Sequence, residues 1–279
     1  MEPGFPSRRH YGTFTAMASS GATSIGFDDR GTGPATVLLH PFPLTRTTWA
    51  GLADALAARR RVIAVDARGF GDTPLGGSSF AITDIADDVA ALLDRLSIAR
   101  ATILGMSMGG YAALAFAARH RDRLSALVLA DTRAAADSAE TRAARGAALA
   151  AVADAGPTAY LAASLPRLLA PGAPPALVAH LRARAETRAA SLRAGIEALR
   201  DRPDRTAELG AIACPTLVVC GTEDQVTPAA EMKEIAAAIS GARYVPIAGA
   251  GHLSHVEAPG AFLNAVTSFL DALAEARPS

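Results

Sequence analysis

Short apolar runs alternate with longer stretches in which apolar positions recur every three or four residues, and the alternation holds at both ends of the chain but fails in its middle. The short runs read as strands over 23–30, 36–40, 62–66, 100–105, 125–130, 215–220 and 244–247. The longer amphipathic stretches predict helices over 47–60, which carries the single Trp, over 81–96, capped by Thr83 or Ser79, and over 108–119. Strand followed by helix, repeated, means a mostly parallel sheet with helices on both faces. Residues 133–206 break this rhythm. They are largely Ala, Arg and Leu with Gly-Pro, Leu-Pro and Pro-Pro punctuation, which predicts three or four short helices inserted between 13–132 and 207–279, the two parts of the core. Residues 1–12, with Pro, Gly and paired Arg, read as a disordered leader.

At Gly105-Met106-Ser107-Met108-Gly109 an apolar run meets an alanine-rich helix through a serine between two x-separated glycines. This spacing describes a strand, a sharp turn and a helix, the nucleophile elbow, with Ser107 on the turn. The glycines fit because side chains two residues either way would collide as the chain reverses.

A serine hydroxyl is a poor nucleophile at neutral pH; it needs a neutral imidazole to take its proton and a carboxylate to fix that imidazole's tautomer. Both partners follow downstream in the order Ser, Asp, His. Asp224 lies in the loop after the apolar run 215–220, and His252 ends the small-residue loop Ala248-Gly-Ala-Gly. Asp131, which ends the run 125–130, is a competing acid, and His255 a competing base; placement directly after Gly-Ala-Gly favours His252.

From about residue 23 to the C-terminus the chain resembles the α/β-hydrolase superfamily, nearest to its 3-oxoadipate enol-lactonases, small carboxylesterases and cofactor-free haloperoxidases or perhydrolases. The likeness rests on the elbow, on Leu38-Leu39-His40-Pro41-Phe42-Pro43, on Asp66-Ala-Arg68-Gly69-Phe70-Gly71-Asp72-Thr73, on 221–228 and on 251–259. It implies an α/β-hydrolase fold with a mostly parallel eight-stranded sheet, and a helical lid at 133–206, after the strand that follows the elbow. It also implies an oxyanion hole made by the N–H groups of Phe42 and Met108. Pro41 stands where the family usually has Gly, but the donor is the next residue, whose amide survives. Asp72-Thr73 replaces a more usual small residue followed by Ser and reads as a tolerated loop change.

The expected activity is a serine hydrolase cleaving carboxylic esters or lactones through an acyl-enzyme, with Ser107, His252 and Asp224 as its triad. The resemblance also admits C–C bond hydrolysis on the same triad and, through Pro43, peracid formation; the intact triad argues against a non-catalytic ligand binder. His40 reads as a loop organiser, Asp66 and Arg68 as braces of their loop, and Glu257 as a cap of the final helix at Ala258-Pro259. Met106 and Met108 suit either the acyl pocket or the core. Arg133, Arg142, Arg145, Arg167, Arg182, Arg184 and Arg188 in the insertion are expected on solvated faces, with one of them a candidate clamp for a substrate carboxylate.

Lys plus Arg equals Asp plus Glu at 27 each, so no global field favours nucleic acid or an anionic membrane. A small-molecule ester or lactone is the expected partner. Residues 1–18 lack the continuous apolar core of a secretion signal, and no run approaches a membrane span, so the cytoplasm is the expected location. Cys214 and Cys220 flank one predicted strand, roughly 20 Å apart at about 3.3 Å per residue, too far for a disulfide. No Cys/His grouping has metal-ligand spacing and no phosphate-binding loop is present, so neither metal nor cofactor is expected.

Overall fold

The computed structural model describes residues 10–13 and 24–275. Its strands are β1 (His10–Thr13), β2 (Gly26–Arg30), β3 (Ala35–Leu39), β4 (Arg61–Val65), β5 (Ala101–Met106), β6 (Leu124–Ala130), β7 (Thr216–Gly221) and β8 (Arg243–Ile247). They form one eight-stranded sheet in the order β1-β2-β4-β3-β5-β6-β7-β8. The pairs β1–β2 and β2–β4 are antiparallel, and every pairing from β4 through β3 to β8 is parallel. All six residues of β5 and of β7 are buried. Helices cover both faces of such strands, which is why they read in the sequence as unbroken apolar runs.

The helices are α1 (Ala50–Leu56), α2 (Ile82–Arg95), α3 (Met108–Arg119), α4 (Ala139–Asp154), α5 (Gly156–Ser164), α6 (Pro175–Arg182), α7 (Ala189–Arg200), α8 (Ala229–Ala238), α9 (Ser254–Glu257) and α10 (Pro259–Glu275). In α2 the buried Ile82, Ile85, Ala86, Val89, Leu92 and Leu93 follow the 3.6-residue period and give one core-facing stripe. α4 to α7 occupy the expected insertion between β6 and β7, and the N–H of Arg205 donates to Ala134 O at 2.9 Å where the segment returns. None of the described helices is long and apolar enough to cross a membrane.

Four expectations change in detail. The helix expected over 47–60 is a 3-10 turn at Arg46–Trp49 followed by α1, which stops at Leu56 because the N–H groups of Arg59 and Arg60 both turn back to Leu56 O before β4 begins. Neither Thr83 nor Ser79 caps α2; Ala81 holds the N-cap position, and Asp84 Oδ2 accepts its N–H at 2.9 Å. Of the expected leader, residues 1–9 lie outside the described residues, whereas His10–Gly12 belong to β1, where backbone pairing to β2 rather than hydrophobic periodicity makes the strand. Glu257 does not cap α10: it closes the preceding single turn, α9, after which the backbone bends at Ala258.

The loop after β4 is set by a buried ion cluster. Asp66, whose carboxylate is fully buried, accepts the backbone N–H groups of Arg46 at 2.7 Å and Asp72 at 3.0 Å and pairs with the Arg46 guanidinium, which also holds Asp28 at 3.0 Å and Asp72 at 2.7 Å. Burial works against the Arg46 charge, but Asp66, Asp72 and Asp28 outweigh it and hold the guanidinium more firmly protonated than usual. Arg68 braces the same loop from the other side through a bidentate pair with Asp88 at 2.5 and 2.8 Å. Asp66→Ala removes the fully buried partner of Arg46 and leaves the N–H groups of Arg46 and Asp72 without their acceptor, so it should cost about 3–5 kcal/mol of unfolding free energy in urea titration. A loss below about 1 kcal/mol would mean that water or neighbouring carboxylates replace Asp66.

Candidate active site

The functional candidates sit on loops that leave the C-terminal ends of the parallel strands, where open α/β sheets place their ligands. Register brings those ends level: Met106 of β5 lies beside Ala130 of β6, Ala130 beside Val219 of β7, and Gly221 beside Ile247 of β8. Ser107 stands between β5 and α3 with φ 52° and ψ −114°, a conformation rarely adopted by a residue with a side chain. Two close approaches hold it there. A Cβ at Gly105 would lie 2.0 Å from Gly109 O, and one at Gly109 would lie 2.1 Å from Leu39 O, so only glycine lets the strand, the helix start and the end of β3 meet. Its N–H donates to Ala130 O at 3.0 Å, and Thr132 Oγ1 donates to its carbonyl at 2.9 Å.

Three residues distant in sequence form one hydrogen-bonded chain. Ser107 Oγ lies 2.8 Å from His252 Nε2, and His252 Nδ1 lies 2.8 Å from Asp224 Oδ2. The acid loop and the histidine loop are joined by Thr222 N–H to Ile247 O at 3.0 Å and Glu223 N–H to Ala250 O at 2.9 Å. Asp224 Oδ1 accepts the N–H groups of Val226 and Thr227 at 2.8 and 2.9 Å, and Oδ2 accepts the Thr227 hydroxyl at 2.5 Å. Burial alone would raise this carboxyl, but the facing His252 and the hydrogen bonds from His252 and Thr227 outweigh it and hold it below the ordinary carboxylate range. A carboxylate only accepts, so Nδ1 of His252 carries the proton and the Nε2 lone pair faces the serine hydroxyl. His252 is 2% exposed and Ser107 8%, which keeps the chain in a low-dielectric pocket while leaving the hydroxyl in reach.

Met108 opens α3, so its N–H is among the first-turn donors without an intrahelical acceptor, at the positive end of the helix. Phe42 follows β3 on the adjoining loop, its ring edge-on to Phe70 at 5.9 Å. His40 sets that loop: Ala67 N–H donates to its Nε2 at 3.0 Å, its Nδ1 reaches Pro41 O at 3.1 Å, and burial keeps the ring neutral by lowering its pKa. Met106 and Met108 are both fully buried.

The competing candidates lie beside the chain and do not enter it. His255 Nε2 contacts Thr48 Oγ1 at 2.7 Å, its ring packs 4.5 Å from that of Trp49, and burial, with smaller contributions from His180 and His252, lowers its pKa to about 3. Asp131 accepts Gly221 N–H at 2.7 Å and the Ser254 hydroxyl, joining the end of β7, from which the Asp224 loop departs, to the turn that follows His252. Burial pushes its carboxyl up to about 7, helped by the Asp224 charge and opposed by His252, Ser254 and Gly221. Asp131, Asp224 and the Cys220 thiol lie within 4.8 Å of one another, but their polar atoms are already engaged with these backbone and side-chain partners. Sequence reasoning missed Thr132, Thr227 and Ser254. Of these only Thr227, three residues after Asp224, carried a local signal, the spacing of an Asp-initiated turn.

A family model described as alpha/beta hydrolase fold matches residues 34–259. A thermophilic esterase from Thermogutta terrifontis superposes with a TM-score of 0.87 at 34% identity, covering 96% of this chain and 99% of that one. The enol-lactonase from Burkholderia xenovorans LB400 gives a TM-score of 0.82 at 32% identity, covering 89% and 97%. A pimeloyl-[acyl-carrier protein] methyl ester esterase of Aeromonas hydrophila is 38% identical over 106 residues, which span 38% of this chain and only 40% of the esterase.

The position of Asp131 sets a pH signature. Its carboxyl sits above its ordinary value in the folded protein, so the native state holds more protons than the unfolded chain between pH 3.8 and about 7. The stability contributed by protonated Asp131 is therefore full below pH 3.8 and lost as pH rises through about 7. Asp131→Asn keeps a neutral group there at every pH. The variant should therefore gain on the wild type by a few kcal/mol in urea titrations between pH 4 and pH 8, since each tenfold difference in proton affinity is worth about 1.4 kcal/mol. A pH-independent difference would place the Asp131 carboxyl in its ordinary range.

Proposed function

Because this chain belongs to the α/β-hydrolase family, we propose that it cleaves carboxylic esters or lactones through an acyl-enzyme formed on Ser107. The observation that carries the reading is the unbroken chain Ser107 Oγ, His252 Nε2, His252 Nδ1, Asp224 Oδ2 with two 2.8 Å contacts. In the first half-reaction His252 removes the serine proton as Oγ attacks the carbonyl; the imidazolium, held by Asp224, returns that proton to the departing alkoxide. The N–H groups of Phe42 and Met108 receive the oxyanion. In the second, His252 deprotonates a water that attacks the acyl carbonyl, and Ser107 leaves with the proton, giving a carboxylic acid.

The helical insertion supports a small substrate, acting as the lid of the site. α7 brings Gly195 against the Phe42 and Phe70 rings, within 3.0 Å of where its Cβ would stand, so the helix meets the oxyanion loop through a glycine. The alanine-rich insertion suits short and medium acyl groups and offers few aromatic anchors for long lipid chains. Of the seven insertion arginines named as candidate clamps, four are already paired with protein carboxylates: Arg133 with Glu231, Arg142 with Asp201, Arg145 with Asp137 and Arg188 with Glu186. Neutral esters and lactones are therefore favoured over substrates that bring a carboxylate needing a clamp.

Ser107→Ala should reduce turnover of p-nitrophenyl butyrate by on the order of a million-fold with an unchanged circular dichroism spectrum, and retention of more than a few per cent would end the serine mechanism. Asp224→Asn should lose about ten thousand-fold in kcat, because an amide facing Nδ1 favours the wrong imidazole tautomer. A loss under about tenfold would move the orienting acid elsewhere, with Asp131 next in line.

A further inference from the structure

We infer that Glu257 is a positioning residue whose two carboxylate oxygens do separate jobs: Oε1 orients the His252 loop and Oε2 docks the helical insertion onto it. Oε1 accepts the N–H of Gly251 at 3.0 Å and that of Leu253 at 3.2 Å, the two residues flanking His252. Oε2 accepts the N–H of Ala170 at 2.7 Å, in the stretch between α5 and α6. One side chain thus bonds to the backbone on both sides of the imidazole and to the insertion. The two segments also touch directly. A Cβ at Gly251 would stand 2.3 Å from Ala170 N and 2.6 Å from the Leu169 carbonyl carbon, so the insertion's backbone lies flat against the histidine loop.

Local geometry makes Glu257 able to do this. Leu253 O accepts the N–H groups of Val256 at 2.8 Å and Glu257 at 3.0 Å, so the single turn of α9 folds back on its own start and returns the Glu257 side chain to the loop that precedes it. The backbone N–H groups of a turn that must hold an imidazole in line with a serine would otherwise be left to water. The 169–170 segment also lines a cavity of about 540 Å³, together with Arg167, Gln225 and Val226, the last two directly after Asp224. The segment held by Oε2 is therefore a wall next to the acid loop as well as a contact of the histidine loop.

The division between the two oxygens makes Glu257→Gln an informative change. A Gln side chain keeps one acceptor oxygen, and placing it on Gly251 and Leu253 retains two bonds while turning its NH2 group toward the Ala170 N–H, donor against donor. Glu257→Gln should therefore free the insertion and leave the His252 loop in place. Glu257→Ala should release both.

The test uses the full chain and two readouts. By hydrogen exchange, Glu257→Gln should speed exchange in the 165–175 peptide with the 249–254 peptide unchanged, and Glu257→Ala should speed both. With p-nitrophenyl butyrate, Glu257→Gln should raise KM about tenfold with kcat within about threefold, the loss of a charge-assisted hydrogen bond expressed in ground-state binding. Glu257→Ala should in addition lower kcat about 10- to 100-fold through misplacement of the imidazole. Exchange that rises in both peptides for Glu257→Gln, or kcat and KM that move together in both variants, overturns the division of labour. The kinetic arm rests on His252 acting as the base for Ser107. A fully active Ser107→Ala removes that reading while the exchange arm still decides the clamp, and an inactive Ser107→Ala with wild-type kinetics in Glu257→Ala refutes the clamp alone.

Discussion

The space between Gly105, Gly109 and Leu39 is the constraint on which the rest of the site depends. A reversal from strand to helix within one residue requires the end of β5, the first turn of α3 and the end of β3 to come within contact of one another, and each missing Cβ removes an overlap near 2 Å. The residue left at the apex has no choice of conformation. Ser107 takes a positive φ, its hydroxyl stands clear of the sheet, and its neighbour's N–H becomes the free end of a helix. Nothing in the downstream loops could correct a serine placed otherwise.

The remaining parts are assembled by backbone contacts between neighbouring strand ends. Parallel register sets Ala130, Val219 and Val245 level with Met106 at the elbow, and the residues past the ends of β6 and β7, Asp131, Thr132, Thr222 and Glu223, hydrogen-bond to the neighbouring strands and loops. Residues one or two positions past β6 and β7 thus hold the loops to one another, while those further out present the side chains that meet. Asp131 belongs to the first group and Asp224 to the second, which is the physical difference between two aspartates that look alike in sequence.

Strands β3 to β7 were legible because burial writes each of them as an apolar run, β2 and β8 as shorter runs at less buried positions, and Ser107, Asp224 and His252 because each stands in a loop that follows such a run. β1 was not, since its only described support is a backbone ladder to β2, which leaves no periodic trace. The end of α1 was missed because apolar and arginine-rich positions continue through Arg60, and what stops the helix is the return of the chain to β4. Thr132, Ser254 and Glu257 act on partners 25, 123 and 87 residues away, distances over which a single sequence carries no pairing information. Glu257 reads as a cap in the sequence because a proline two residues on marks a helix start, and the same proline is where its own turn has already ended.

The hydrogen bond from Arg205 to Ala134 gives the insertion a narrow neck: the chain leaves the sheet after β6 and comes back at nearly the same point before β7. A segment joined this way behaves as a cassette. Its closure entropy grows by only about 0.6 kcal/mol for each doubling of length, so helices can be lengthened, exchanged or recombined between neck residues without disturbing strand register. The sheet edge that carries Ser107, Asp224 and His252 and the helices inserted above it are thus separable pieces of one chain, joined at a single crossing.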